Sequence, residues 1–196
     1  MTTPHDPTPL LSFVAATTAL LRRAPTEEQA LETVGALLGQ LVSEDGWLPD
    51  ELAQPHPQFY RQYLLHADPE GLFSVVSFVW GPGQATPVHD HTVWGLIGML
   101  RGQETAQAYG RDAQGHLVPQ GEPVTLSPGQ VEAVSPRIGD VHRVANAFSD
   151  RTSISIHVYG ANIGTVKRHV FAEDGSVKDF VSGYSNAWVP NLWSAA

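Results

Sequence analysis

Residues 83–102 read GQATPVHDHTVWGLIGMLRG, a Gly/Pro-bounded turn that runs into two histidines two apart, then into an apolar run closed by another glycine. Alternate residues of a strand project from one face about 6 to 7 Å apart. On that reading His89 and His91 point together and can grip one ion, while Asp90 points the other way. An HxH pair by itself recurs by chance on protein surfaces, so its surroundings carry the reading.

Working outward, the flanking texture is that of strands. FSVVSFVWGPG (73–83), TVWGLIGMLRG (92–102), the run 104–136, VHRVANA (141–147) and TSISIHVYG (152–160) are short β-rich segments separated by Gly, Pro, Asp and Asn turns. Regular strands without long helices between them point to a small barrel or double-sheet jelly roll. Toward the N-terminus the period changes. LLSFVAATTALLRR (10–23) and TEEQALETVGALLGQLV (26–42) carry apolar residues at helical spacing, and Thr26 with Gln29 forms a capping-box pattern. These two amphipathic helices read as a layer packed on the β region.

With 196 residues, 42% of them hydrophobic, the chain is long enough for one sizeable core. No repeat, linker or low-complexity stretch divides it. We therefore expect a single domain over 1–196, with a helical layer over about 1–45 and the barrel with its C-terminal strands over about 70–196. The chain has no cysteine, which excludes disulfides, a Cys-ligated zinc site and a thiol nucleophile. Any metal must rest on His, Asp or Glu. The N-terminal stretch has no basic segment ahead of its apolar run, and no segment approaches the roughly 20 apolar residues that span a bilayer, so a cytoplasmic location and no membrane partner are expected. Twenty acidic against eleven basic residues give a net charge of −9, which repels polyanions and argues against a nucleic-acid partner.

The letters around the histidines are more specific than the pair. Gly83, His89, His91 and Gly102 in the first stretch, and Gly139, His142 and Asn146 in SPRIGDVHRVAN (135–146), resemble the two motifs of the cupin superfamily over most of residues 75–160. The resemblance implies a mainly β cupin fold, a double-stranded β-helix or jelly-roll barrel, with the N-terminal α-helical layer added, and it makes His142 the third metal ligand. Cupins usually place a glutamate ligand a few residues after the HxH, where this chain has Gly95. The expected site is thus three neutral imidazoles, which leave a divalent ion its full charge and open positions for an anionic substrate.

TSISIHVYG supplies a second constellation. Strand alternation puts Ser155, His157 and Tyr159 on one face and Ile154, Ile156 and Val158 on the other. The alternative is an ordinary half-exposed strand, but hydroxyl, imidazole and phenol in a row can form a hydrogen-bonded relay. Together with the HDH segment and His142, this row resembles the thiol dioxygenases of the cysteine dioxygenase type I family. That resemblance implies ferrous iron on His89, His91 and His142, with Ser155, His157 and Tyr159 as the outer-sphere network. The animal members crosslink a cysteine to this tyrosine, which a chain with Gly95 and no cysteine cannot do.

In FYRQYLL (59–65), the spacing from Tyr60 puts Gln62 where cysteine-specific relatives have a carboxylate-binding arginine. Arg61, one residue away, is the alternative. Glutamine here resembles the 3-mercaptopropionate branch, in which a later arginine, matched by Arg168 in VKRHVF (166–171), holds the carboxylate; the competing reading of Arg168 is a solvated surface cation. The expected protein is an iron(II) thiol dioxygenase acting on a small thiol carboxylate and O2, with 3-mercaptopropionate ahead of L-cysteine. A non-catalytic metal-binding cupin sensor stays open beside it. The remaining histidines, 5, 56, 66, 116 and 169, read as surface or locally satisfied. Trp80, Trp94, Trp188 and Trp193 read as core or pocket wall, and Tyr184 is a candidate for the entrance.

Overall fold

The structure is a computed structural model that describes residues 5–172 and 174–189. Two helices, α1 (Thr8–Leu21) and α2 (Glu27–Ser43), precede eleven strands: β1 (Arg61–Ala67), β2 (Ser74–Trp80), β3 (Val88–His89), β4 (Gly95–Arg101), β5 (Glu104–Arg111), β6 (Leu117–Leu126), β7 (Val131–Val134), β8 (His142–Asn146), β9 (Ser153–Tyr159), β10 (Arg168–Phe171) and β11 (Val177–Phe180). The strands form two antiparallel sheets, ordered β1-β2-β9-β4-β7 and β11-β10-β3-β8-β5-β6. This is the mainly β cupin architecture, with the two helices as an added layer. No helix among the described residues is long and apolar enough to cross a membrane.

The helical layer starts where the sequence says it should. Thr26 Oγ1 accepts from the Gln29 amide at 3.3 Å, and Gln29 Oε1 accepts from the Thr26 amide at 3.0 Å. Two of the four orphan amides of the first turn are thereby satisfied. Val34, Leu38 and Val42 of α2 pack with Leu10 and Phe13 of α1 onto the outer face of the first sheet. The approach is close: a Cβ on Gly98 of β4 would lie 2.8 Å from Leu38 Cγ, so this strand position needs a bare backbone.

β9 sits in the middle of that sheet and is buried on both faces. Ile154, Ile156 and Val158 join the core shared with the helices. Burying each contributes on the order of 2 kcal/mol. The opposite face, carrying Ser155, His157 and Tyr159, turns into the space between the sheets, where Val76, Phe78, Trp80, Ala106 and Val144 form a second apolar cluster. The half-exposed alternative for this strand fails because the helices cover its outer side.

One boundary differs from expectation. The β region begins at Arg61, not near 70, because RQYLLHA forms strand β1, with Tyr63 and Leu65 buried on alternate positions against β2. The C-terminal segment then crosses β1. Ser185 donates its amide to the Gln62 carbonyl at 2.7 Å, and the Asn186 side chain pairs with both the amide and the carbonyl of Leu64.

Candidate metal centre and substrate cavity

His89, His91 and His142 are all buried and present ring nitrogens that lie within 4.8 Å of one another. They do not converge by simple strand alternation. β3 is only two residues long and ends at His89. His89 is placed by pairing on both sides, opposite Val170 of β10 and His142 of β8. The chain then leaves the strand, and two aspartates finish the geometry. Asp90 turns outward to accept from the His169 amide at 2.7 Å and to bond its Nδ1 at 2.7 Å. Asp140 accepts from the amides of His91 and Thr92 and bonds His91 Nδ1 at 3.0 Å. That grip holds Thr92 at φ 60, in the left-handed region a β-branched residue rarely adopts.

These contacts set the tautomers. His89 Nδ1 lies 3.1 Å from the Pro87 carbonyl and donates to it, and His91 Nδ1–H is taken by Asp140. The Nε2 atom of each is left as an electron-pair donor toward the shared centre. Burial, reinforced by the neighbouring His91, pushes His89 down to about 3 and His142 well below the usual imidazole range. Burial also opposes ionisation of Asp140, but the bonds from His91 and Thr92 outweigh it and hold its carboxyl below the ordinary range. Neutral imidazoles beside an oriented carboxylate are what a divalent first-row ion requires, so the donor set fits such a metal.

The relay row is continuous. Ser155 Oγ lies 2.9 Å from His157 Nε2, and His157 Nδ1 lies 2.9 Å from the Tyr159 hydroxyl. Trp80 donates its indole N–H to Ser155 at 3.0 Å, and Phe78 stacks on the His157 ring with centroids 3.9 Å apart. Burial keeps His157 neutral and raises the Tyr159 phenol, which is therefore protonated at neutral pH. Tyr159 stacks on His91 with centroids 5.7 Å apart, so the row ends against the metal ligands.

Beside this end opens a cavity of about 280 Å³, lined by His89, Tyr159, Tyr60, Gln62, Phe78 and Arg168 and closed by Val170, Phe180, Ser182 and Lys178. Arg168 is only 3% exposed, which rules out the solvated-cation reading. Its guanidinium bonds Ser182 Oγ and lies over the Phe180 ring, 4.5 Å from the centroid, while Nε has no protein partner among the described residues. Arg61 is not among the lining residues; it lies over the Tyr63 ring, 5.9 Å from the centroid. Gln62 and Arg61 are consecutive on a strand, so only one of them can face the cavity.

The sequence matches the family model described as Cysteine dioxygenase type I over residues 31–171, well over half of the chain. The chain belongs to the cysteine dioxygenase type I family. It is similar to the human Cysteine dioxygenase type 1, 30% identical over 115 residues that make up 57% of this chain and 56% of the relative. The zebrafish (Danio rerio) protein of the same name is 29% identical over 93 residues, 45% of each chain. The matches thus span about half the length of these curated relatives. Among solved structures, similar chains include a cupin superfamily protein from Desulfitobacterium hafniense (11% identity, 56% of this chain and 84% of that one, TM-score 0.43) and a cupin-like protein from Thermotoga maritima (20% identity, 55% and 75%, TM-score 0.42).

As a member of the cysteine dioxygenase type I family, this chain carries a three-histidine metal site, and the slot beside its tyrosine is informative. Gly95 of β4 lies directly opposite Tyr159, and a Cβ there would come within 3.1 Å of the ring edge. Any side chain at this position would need Tyr159 and Val134 to give by a few tenths of an ångström. Sequence reading missed Asp140, although it stands two residues before His142, and it missed Glu104, discussed below. Other expectations shift as well. Trp188 is 87% exposed and lines no core, Trp193 lies outside the described residues, and Tyr184 ties the C-terminal segment to Asn162 and Gly164 instead of lining the cavity. His169 is satisfied by Asp90, whereas His66 Nε2 is buried without a partner among the described residues.

Proposed function

We propose that this protein is an iron(II) thiol dioxygenase that converts a small thiol carboxylate, with 3-mercaptopropionate preferred, and O2 into the corresponding sulfinate. Both oxygen atoms enter the product, and the sulfur supplies the electrons: RSH + O2 gives RSO2⁻ + H⁺. Ferrous iron held by His89, His91 and His142 would supply a Lewis-acidic, redox-active centre for thiolate and O2.

The residues of the chain do the rest. Arg168 faces the cavity with free N–H donors and holds the substrate carboxylate through a charge-assisted contact. Tyr159, steadied by His157 and Ser155, presents its hydroxyl where thiolate and O2 meet. Phe78 and Val170 keep the sulfur end dry, which strengthens each polar contact made there. Gln62 shapes the wall and offers a neutral amide.

The observation that carries the substrate choice is the charge of the cavity wall. Among the described residues it contains the cations Arg168 and Lys178 and no Asp or Glu. The α-ammonium group of cysteine would meet like charge and no anionic partner, whereas an amino-free thiol carboxylate loses nothing. The similarity to proteins named Cysteine dioxygenase type 1 supports L-cysteine as the second reading. Initial rates of O2 consumption by iron-reconstituted protein, over a concentration series of each thiol with sulfinate identified as product, separate them. A much larger kcat/KM for 3-mercaptopropionate is expected. Preference for L-cysteine would overturn the substrate assignment, and turnover of neither with iron verified in place would overturn the enzyme reading in favour of a metal-binding sensor.

A further inference from the structure

A buried acid stands at the far end of the relay. Glu104, on β5 of the second sheet, is fully buried, and the side chains of Ser155 and Trp80 are the neighbours that favour its ionised form. Among the described residues neither of its oxygens has a hydrogen-bond partner, which for a buried carboxyl leaves a strong unmet demand. Its strand neighbours are Leu126 of β6 and Asn146 of β8. The titratable groups facing it are Glu132 of β7 and His157 and Tyr159 of β9. Nothing in the proposed chemistry uses this acid.

Hydrogen-bond counting gives it a purpose. A serine hydroxyl has one proton to donate and two lone pairs to accept with. Trp80 occupies one lone pair of Ser155 and His157 Nε2 a second position, so a Glu104 oxygen that closes on Ser155 would share the remaining donor and acceptor with His157. When Glu104 is ionised it can only accept, and Ser155 turns its proton to it. Ser155 then accepts from His157 Nε2–H, His157 Nδ1 accepts from Tyr159, and the phenol presents lone pairs to the cavity. When Glu104 is protonated it donates to Ser155, Ser155 donates to His157 Nε2, and His157 Nδ1–H donates to the phenol oxygen. The Tyr159 O–H is then free to donate into the cavity. The two arrangements differ by one proton at Glu104 and by the imidazole proton moving between Nε2 and Nδ1; Ser155, His157 and Tyr159 stay neutral in both.

We infer that Glu104 is a positioning residue whose proton sets the direction of the Ser155–His157–Tyr159 chain, and thereby whether Tyr159 offers the cavity a donor or an acceptor. Only its consequence for substrate rests on the thiol dioxygenase reading. Burial, with the like charge of Glu132 adding to it, raises Glu104 to about 7, so both arrangements fall in the neutral range.

The test is the ¹⁵N spectrum of His157 in full-length protein loaded with zinc(II), a diamagnetic ion, between about pH 5.5 and about pH 8.5 to bracket the buried carboxyl. His157 is expected to carry its proton on Nδ1 in acid and on Nε2 in base, crossing near 7. Glu132→Gln removes the like charge and moves the crossing to lower pH. Glu104→Gln, which does not titrate, holds a single tautomer at every pH, and in iron-loaded enzyme it removes the inflection near 7 from the pH profile of kcat. A wild-type tautomer that does not change with pH, or a switch that survives Glu104→Gln, overturns the inference. If Glu104→Gln does not fold, the wild-type and Glu132→Gln titrations decide it. Loss of turnover on every thiol with the tautomer switch intact would sink the proposed function and leave this inference standing.

Discussion

Replacing Glu104 by glutamine removes a buried charge, and the stability consequence has a definite sign. In the unfolded chain this carboxyl titrates at its ordinary 4.5, and in the folded protein burial raises it to about 7. Below pH 4.5 both states hold the proton and burial of the neutral acid carries no ionisation penalty. As pH rises from 4.5 to 7 the unfolded chain releases its proton while the folded one keeps it, so wild-type stability falls; above 7 the loss is complete. The interval from 4.5 to about 7 corresponds to about 3 kcal/mol. Glu104→Gln has no such loss. Urea unfolding of metal-free wild type and variant, at about pH 4 and about pH 8 to bracket the titration, should show the variant gaining about 3 kcal/mol relative to wild type between the two. The buried histidines titrate in both proteins and cancel in the difference. A difference that stays constant within about 0.5 kcal/mol over that range would mean Glu104 is not an ionising group of the folded core.

Three further outcomes are expected. Asp140→Asn leaves one acceptor oxygen where His91 and Thr92 supply three N–H donors, so metal affinity measured by competition with a chelator should fall about 10- to 100-fold; unchanged affinity would remove Asp140 from the centre. Arg168→Gln deletes a charge-assisted contact of about 1.5 to 3 kcal/mol, and kcat/KM for a thiol carboxylate should fall about 10- to 150-fold while a neutral thiol without the carboxylate is barely affected. Equal losses on both would make Arg168 a structural cation. Gly95→Cys puts a thiol against the Tyr159 ring edge, where an added Cβ would fall 3.1 Å from Cδ1, and turnover of the iron-loaded variant with O2 as oxidant should yield a thioether seen as a loss of two hydrogens in the intact mass; a persistently free thiol would place the side chain elsewhere.

Some of this molecule could be read from its letters and some could not, for identifiable reasons. The capping box at Thr26 and the alternation of β9 depend on neighbours in sequence, and local chemistry decides them. The convergence of His89 and His91 was legible as a spacing, but its cause was not. Strand alternation would have sufficed on a long strand, whereas β3 has two residues, and the second histidine is aimed by a carboxylate 49 residues away. β1 escaped notice because RQYLLHA has no β-branched residue, and its conformation comes from pairing with β2, an effect of tertiary context on weak propensity. Glu104 was hidden for the opposite reason. In ETAQAY a glutamate looks like the solvent face of a strand, yet here its alternation partner Ala106 is inside and the acid goes in with it.

The two-residue strand β3 has a consequence for the order of events during biosynthesis. Its ligand His89 is seated between β8 and β10, and Asp90 is tied to His169. All three imidazoles have been polymerised once His142 is made, but the strand that backs the first of them arrives with residues 168–171, and β11 then pairs with that strand along its whole length. A nascent chain holding all three histidines therefore has no fixed place for an ion. Firm metal capture is expected only once β10 and β11 have closed beside β3, and a ribosome-bound chain ending shortly after residue 160 should bind an added divalent ion more weakly than one that includes both strands.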